Sequence, residues 1–292
     1  MSGRQIESRL PHPAYRGVRL SDADVAAGWR LSTEAGWNQT EADWRFMLSA
    51  GEGFGFEDAA GALVASAVIV PYESRFAWIS MVLVTAAARR QGLATLLLRR
   101  ALVWSAERRC PLLLDATAAG RAVYTGLGFK DLRGLTRWSG AGESRPDSPA
   151  HPIGSDAELE PWAEWDRPQF GASRLPLLRA LRQGRPDLAL QVSAPGSGES
   201  GYCLGRSGRV ATQIGPLAAE SEITALALLR AALERISGLV FLDLMDGHPA
   251  LERELTGRGF SAQRSFVRMG FGSGPLPTKT SKLFAAAGPE FG

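Results

Sequence analysis

Two periodicities alternate along the first 140 residues. Short runs of apolar residues, or apolar alternating with polar, read as strands; apolar residues recurring every three or four positions read as helices. "YRGVRL" predicts a short strand. "SDADVAAGWRLSTEAG", which opens on Ser and Asp, and "QTEADWRFMLSAG", which closes on Gly, predict helices. "GFGFED", "ALVASAVIV" and "FAWISMVLV" follow as strands set apart by turn residues. Next come a helix over roughly 90–108, the apolar strand "PLLLD", a helix over 118–126 and a strand over 129–138. The order β-α-α-β-β-β-α-β-α-β predicts a mixed α/β layout, a sheet enclosed by helices.

The pattern breaks at 139–156, "SGAGESRPDSPAHPIGSD", whose Gly, Pro and Ser predict a linker. A similar order then recurs. "ELEPWAEWDRPQFGASRLPLLRALRQG", "SEITALALLRAALERI" and "PALERELTGR" supply helices. "DLALQVS", "GYCLGR", "VATQIGPL", "LVFLDLM" and "GFSAQRSFVRM" supply strands. The chain thus divides into a first unit at 1–140, a linker at 141–156, a second unit at 157–270 and a loose tail at 271–292. A shift of 131 positions aligns 87–129 on the second half without a gap. Leu97-Leu98-Arg99 fall on Leu228-Leu229-Arg230, Asp115 on Asp246, and "TGLGF" (125–129) on "TGRGF" (256–260). The shared register predicts one fold in both halves. The differences concentrate elsewhere: Arg89, Arg90, Gly92 and Tyr124 meet Glu220, Ser221, Ile223 and Leu255.

Composition narrows the function classes. Hydrophobic residues make up 45% and charged residues 22% of 292 residues, the values of an ordinary globular protein. The 33 basic and 30 acidic side chains nearly balance, and Arg-Arg occurs only as isolated pairs, so no basic arm for nucleic acid is present. Cys110 and Cys203 stand far apart with no CxxC, which argues against a disulfide framework or a zinc site. "MSGRQIESRLPHP" lacks the apolar core of a signal peptide, and "ALVASAVIV" is too short to span a bilayer. A cytoplasmic protein with reduced thiols is expected.

The chemistry concentrates at "SMVLVTAAARRQGLATLLL". A strand leads into a turn whose amides are the unsatisfied donors of a new helix, and with the helix dipole they suit a pyrophosphate. Gly92 and Ala94 carry no side chain that would hold phosphates away, and Arg89 and Arg90 add positive charge. Arg89-Arg90-Gln91-Gly92-Leu93-Ala94 resembles the (Q/R)-x-x-G-x-(G/A) segment of the GCN5-related N-acetyltransferases, with Ala86 where that family usually has proline. Tyr124-Thr-Gly-Leu-Gly-Phe129 is similar to the same family's "YxxLGF". Phe170-Gly-Ala-Ser-Arg174 and Gly215-Pro-Leu-Ala-Ala219 extend the resemblance to the tandem type typified by YitH and holothin acyltransferase.

The resemblance implies two tandem domains of α/β (α+β) class, each a mixed, mostly antiparallel sheet flanked by helices. It implies an acetyl-CoA donor, no metal, and direct attack by the primary amine of a small molecule, with no nucleic-acid or membrane partner. A monomer or homodimer is expected. Met81, Val82, Leu83 and Val84 would meet pantetheine along the strand. Arg89, Arg90, Gln91, Gly92, Leu93, Ala94 and Thr95 would surround the pyrophosphate, and Thr117 would touch the coenzyme where relatives carry Asn. Tyr124 would protonate the departing thiolate. Trp37, Asn38 and Ser80 would line the acceptor groove, with Glu34, Asp43, Glu73 or a water chain left open as the base. The second half, lacking the turn and the tyrosine, would wall the acceptor groove with Asp166, Arg174 or Asp246, unless Asp166 and Arg174 cap helices or pair with each other. A different class stays open: a catalytically silent sensor or scaffold that binds acyl-CoA or a metabolite.

Overall fold

The computed structural model describes residues 12–142, 150–274 and 281–292. The first half runs β1 (Arg16–Leu20), α1 (Val25–Glu34), α2 (Glu41–Ala50), β2 (Glu52–Glu57), β3 (Leu63–Tyr72), β4 (Phe76–Val84), α3 (Leu93–Arg108), β5 (Leu112–Thr117), α4 (Ala118–Gly126) and β6 (Lys130–Gly142). The second half opens with β7 (His151–Pro152), α5 (Asp156–Phe170), α6 (Leu175–Gly184), β8 (Leu190–Val192), β9 (Gly201–Arg206) and β10 (Thr212–Ala219). It closes with α7 (Glu222–Leu233), β11 (Gly238–Met245), α8 (Pro249–Gly257), β12 (Ser261–Phe271) and β13 (Leu283–Ala285). Helix starts follow the caps in the sequence: Thr40 and Asp43 form a reciprocal box at α2, and Ser155 accepts from the Glu158 amide at α5.

All described strands join one sheet in the order β1-β2-β3-β4-β5-β12-β6-β11-β13-β10-β9-β8-β7. Its centre is an exchange. β12, the last long strand of the second half, lies between β5 and β6, with Met269 opposite Leu114. β6, the last strand of the first half, lies between β12 and β11, with Trp138 opposite Leu242. Each half is therefore closed by the other's strand, and the two sequence units share their hydrogen bonds.

The cores follow from that arrangement. α3 covers one face of the first half over Phe54, Phe56, Leu97, Trp104 and Leu112, and α7 and α8 cover the matching face of the second over Leu228, Val240 and Leu251. On the other face one apolar cluster crosses the boundary. It joins Trp44 and Trp78 of the first half to Trp162, Phe170 and Tyr202 of the second.

Two expectations are corrected. Within the expected linker, 143–149 lie outside the described residues, but His151 and Pro152 pair with Gln191 and Leu190, and Ile153 is buried. The expected loose tail at 271–292 is a structural part. Phe271 ends β12, 275–280 lie outside the described residues, and Leu283, Phe284, Ala285 and Phe291 are buried. Its glycines and prolines suggested looseness, yet "LFAAA" is an apolar strand that finds a vacant sheet position. β13 enters between β10 and β11, with Leu217 opposite Ala285 and Leu244 opposite Ala285.

Candidate active site

β4 and β5 run parallel but pair only at Ala77–Leu112 and Trp78–Leu113, then part. A register shift against β3 bends β4 at this point, Met81 adopts φ +51°, and the Ser66 hydroxyl donates to the Met81 carbonyl at 2.8 Å. The gap becomes a cavity of about 790 Å³ including its open mouth, lined by Ile79–Val82 of β4, by Leu114, Asp115 and Thr117, and by Tyr124 of α4.

Beyond β4 the chain turns through Arg90 at φ +64° and Gly92 at φ +82°, the latter capping α3. Glycine is needed here for the left-handed backbone, and a Cβ on it would meet open space. The first turn of α3 closes with the Leu96 amide on the Gly92 carbonyl at 3.0 Å. The Leu93, Ala94 and Thr95 amides ahead of it have no partner within the helix. Leu93 and Leu83 turn their side chains into core, so only their backbones can face a ligand. Arg89 donates Nε to the Val84 carbonyl at 3.2 Å, and Gln91 donates its amide to the Tyr15 hydroxyl at 3.1 Å.

Thr117 caps α4, its hydroxyl accepting from the Gly120 amide at 3.3 Å, and so fixes the helix that carries Tyr124. Tyr124 is half-buried against Phe129, with ring centroids 5.9 Å apart. Burial pushes its phenol up to about 12, so it keeps its proton at any physiological pH.

On the acceptor side Trp37 and Ser80 line the cavity, Ser80 donating to the Met47 sulfur at 3.4 Å. Asn38 also borders it, and its amide is held by the second half. It donates to the Ala211 carbonyl and accepts from the Val210 and Ala211 amides, each at 3.0 Å. Asn38 therefore lines the groove as expected and also stitches the halves together. The base candidates are also committed elsewhere. Glu34 accepts from the Thr85 hydroxyl and the Ala86 amide, both at 2.7 Å, and those contacts, the amide first, hold its carboxyl below its usual range. Asp43 caps α2 and pairs with Arg206 at 2.8 Å, and Glu73 pairs with Arg167 at 3.0 Å.

Other residues complete the wall. Arg137 of β6, Phe241 of β11 and Gln263, Arg264 and Phe266 of β12 arrive through the strand exchange; Pro289 and Glu290 arrive with the tail. Arg137 is neutralised by Asp243 through two bonds of 2.8 Å, and Asp115 by Arg268 at 2.9 and 3.0 Å. Glu290 is 1% exposed; its Oε1 pairs with Arg206, while its Oε2 is buried without a hydrogen-bond partner. No local pattern in the sequence pointed to these residues, because only the exchanged strands and the folded tail bring them here.

Asp166 and Arg174 do not face substrate. They form a bidentate pair at 2.7 and 2.9 Å in the shared core, joined by the Tyr202 hydroxyl at 2.7 Å from Asp166. Of the readings left open for them, mutual pairing is the one found. Asp246 lies at the surface and accepts from the Thr136 hydroxyl at 3.1 Å. The histidines are scattered: His12 beside Gln91, His151 on β7, and His248 at the start of α8, its ring 4.5 Å from Phe284. Among the described residues no group of three His, Cys, Asp or Glu side chains could hold a metal ion, and no helix is long and apolar enough to cross a membrane.

A strand that leaves its neighbour, a glycine turn opening a helix, and a tyrosine at the end of the cleft define an acyltransferase fold, and the comparisons agree. The profile "Acetyltransferase (GNAT) family" matches residues 23–129, and "Acetyltransferase (GNAT) domain" matches 163–285. The chain belongs to the GNAT acetyltransferases as two tandem copies. No curated protein matches it. Among solved structures it is similar to a putative acetyltransferase from Pyrococcus horikoshii, with TM-score 0.80, 20% identity, and 98% of this chain and 99% of that one covered. A GCN5-related N-acetyltransferase from Sphaerobacter thermophilus superposes with TM-score 0.65 at 18% identity, covering 92% and 100%. A tandem GNAT protein from the clavulanic acid biosynthesis pathway gives TM-score 0.59 at 16% identity, covering 89% and 99%. These likenesses establish the fold.

Proposed function

We propose that this chain is an acetyl-CoA-dependent N-acetyltransferase acting on the primary amine of a small molecule, with the chemistry in the first half. The observation that carries the reading is the contrast at the two splays: that of β4 and β5 is open and lined by Tyr124, and that of β10 and β11 is filled by β13. The edge of β4 from Met81 to Val84 offers pantetheine a backbone to pair with. The amides of Leu93, Ala94 and Thr95, with Arg89 and Arg90 nearby, offer donors to the pyrophosphate.

The acceptor amine attacks the thioester carbonyl carbon, the carbon–sulfur bond breaks, and the thiolate takes the Tyr124 phenol proton. A phenol near 12 is a weaker acid than a thiol whose ordinary value is near 8.5, so the transfer costs energy, which exclusion of water from the departing thiolate reduces. The cleft supplies that shielding through Leu114, Val82 and Phe266. The second half shapes the acceptor end with Phe241, Gln263 and Arg264.

A sensor would bind the coenzyme without turnover. Calorimetry with acetyl-CoA, followed by release of free coenzyme A in the presence of a panel of aminoglycosides, polyamines and amino acids, separates the two. Binding at one site per chain with turnover is expected; binding without turnover in wild type and Tyr124→Phe alike supports the sensor.

A further inference from the structure

The tail brings into the acceptor side of the cavity a carboxylate that has no partner for one of its oxygens. Asp43 of α2, Arg206 of β9 and Glu290 form a buried row of two carboxylates about one guanidinium. Arg206 gives Nη1 to Asp43 Oδ2 at 2.8 Å and Nη2 to Glu290 Oε1. The next cation, Arg137 of β6, is already matched by Asp243. The row therefore carries one negative charge in excess, and a buried carboxylate oxygen left unpaired is strongly unfavourable in a free-standing core. Here the residue that carries it lines a cavity.

Resting on the acetyl-transfer reading of this cavity, the geometry points to Glu290 as the group that receives the acceptor's ammonium and removes its first proton, which makes the acceptor class protonated primary amines. The ammonium supplies the missing positive charge and binds Oε2. Glu290 takes one proton, the freed nitrogen lone pair forms the bond to the acetyl carbon, and the carbon–sulfur bond breaks. The thiolate takes the Tyr124 proton, the second nitrogen proton returns to Tyr124 through water, and Glu290 releases its proton to solvent. One ammonium and one thioester yield one amide, one thiol and one proton.

The charged and titratable groups about Glu290 are Arg206, Asp43, Arg137 and the buried Tyr72 phenol of β3. Burial, reinforced by Asp43, raises its carboxyl above the usual range, against the pull of Arg206 and Arg137. A carboxylate so raised is a stronger base.

The test uses the full chain, acetyl-CoA and the same amine panel. Calorimetry on wild type comes first, and absence of coenzyme binding there refutes the underlying reading rather than this assignment. Given binding, Glu290→Gln keeps an oxygen for Arg206 and is expected to bind coenzyme as wild type does. Its kcat/KM near neutral pH should fall on the order of 100-fold. The loss should be regained as pH rises towards the amine's own pKa, where no base is needed, and the acidic limb of the wild-type profile should vanish. Asp43→Asn retains a cap for α2 but removes the neighbouring negative charge, so it should move that limb to lower pH. Unchanged activity in Glu290→Gln, a loss equal at every pH, an unmoved limb in Asp43→Asn, or coenzyme bound with no amine of the panel turned over each overturns the assignment.

Discussion

The two halves part their strands at the same place and fill the gap differently. β4 leaves β5 after two paired residues, and β10 leaves β11 after three, from Thr212–Val240 to Ile214–Leu242. In the first half the gap stays open and ends at bare amides and a phenol. In the second, β13 occupies it, and Lys282 pairs with Glu220 at 2.6 Å where the first half has Arg89. Ser221, opposite Arg90, caps α7 by accepting from the Thr224 amide, so this helix start satisfies itself. Ile223, opposite Gly92, is 81% exposed, and Leu255, opposite Tyr124, is buried in core. Duplication thus preserved the splay, and a peptide took the place a ligand could have held.

Exchanging the key residues should break the comparison most at Tyr124. Tyr124→Phe is expected to lower kcat roughly 100- to 10,000-fold with coenzyme affinity unchanged, measured by steady-state kinetics beside calorimetry. Leu255→Ala, at the equivalent place, should leave kcat alone and lower stability by about 2–5 kcal/mol in urea unfolding. Because burial raises the Tyr124 phenol to about 12, its acid form persists as pH rises past 10, and activity should lose this proton only towards 12. A limb near pH 10 that disappears in Tyr124→Phe would contradict that.

The turn gives the next largest effect. Gly92→Val forces a β-branched residue to φ +82°, a strain of about 1–3 kcal/mol that should weaken coenzyme binding roughly 5- to 150-fold. Ile223→Gly should create no second site by calorimetry.

Gly215 sharpens the comparison from the other side. A Cβ there would stand 1.9 Å from the Ala286 carbonyl oxygen, at φ +138°. Gly215→Ala should loosen the tail, lower stability by about 1–3 kcal/mol and speed hydrogen exchange over 283–287. Coenzyme should still bind at one site, because Ser221 and Glu220 remain. Lys282→Ala, which removes a partly exposed pair, should change stability by less than about 1 kcal/mol.

Much of this was legible in the chain. The alternation of runs gave the elements of both halves, and the 131-residue shift gave their equivalence. Gly92 stood out as a residue without a side chain at the start of a helix, and Tyr124 through its resemblance to the family's motif. The acceptor wall was legible only in part: Trp37, Asn38 and Ser80 line it as read, but that Asn38 also binds a hairpin some 170 residues away, and that Arg137 and Glu290 reach the cavity, had no local sign. The tail misled because Gly and Pro outside "LFAAA" masked a strand whose only partner is a distant gap.

The sequence by itself determined most of the secondary structure, the repeated unit and the turn, since each depends on residues close together in the chain. Only the tertiary structure decided which splay stays open, which half's strands close which core, and which carboxylate reaches the cavity. Those outcomes depend on hydrogen bonds and charges contributed by segments far apart, and no local periodicity records where such segments meet.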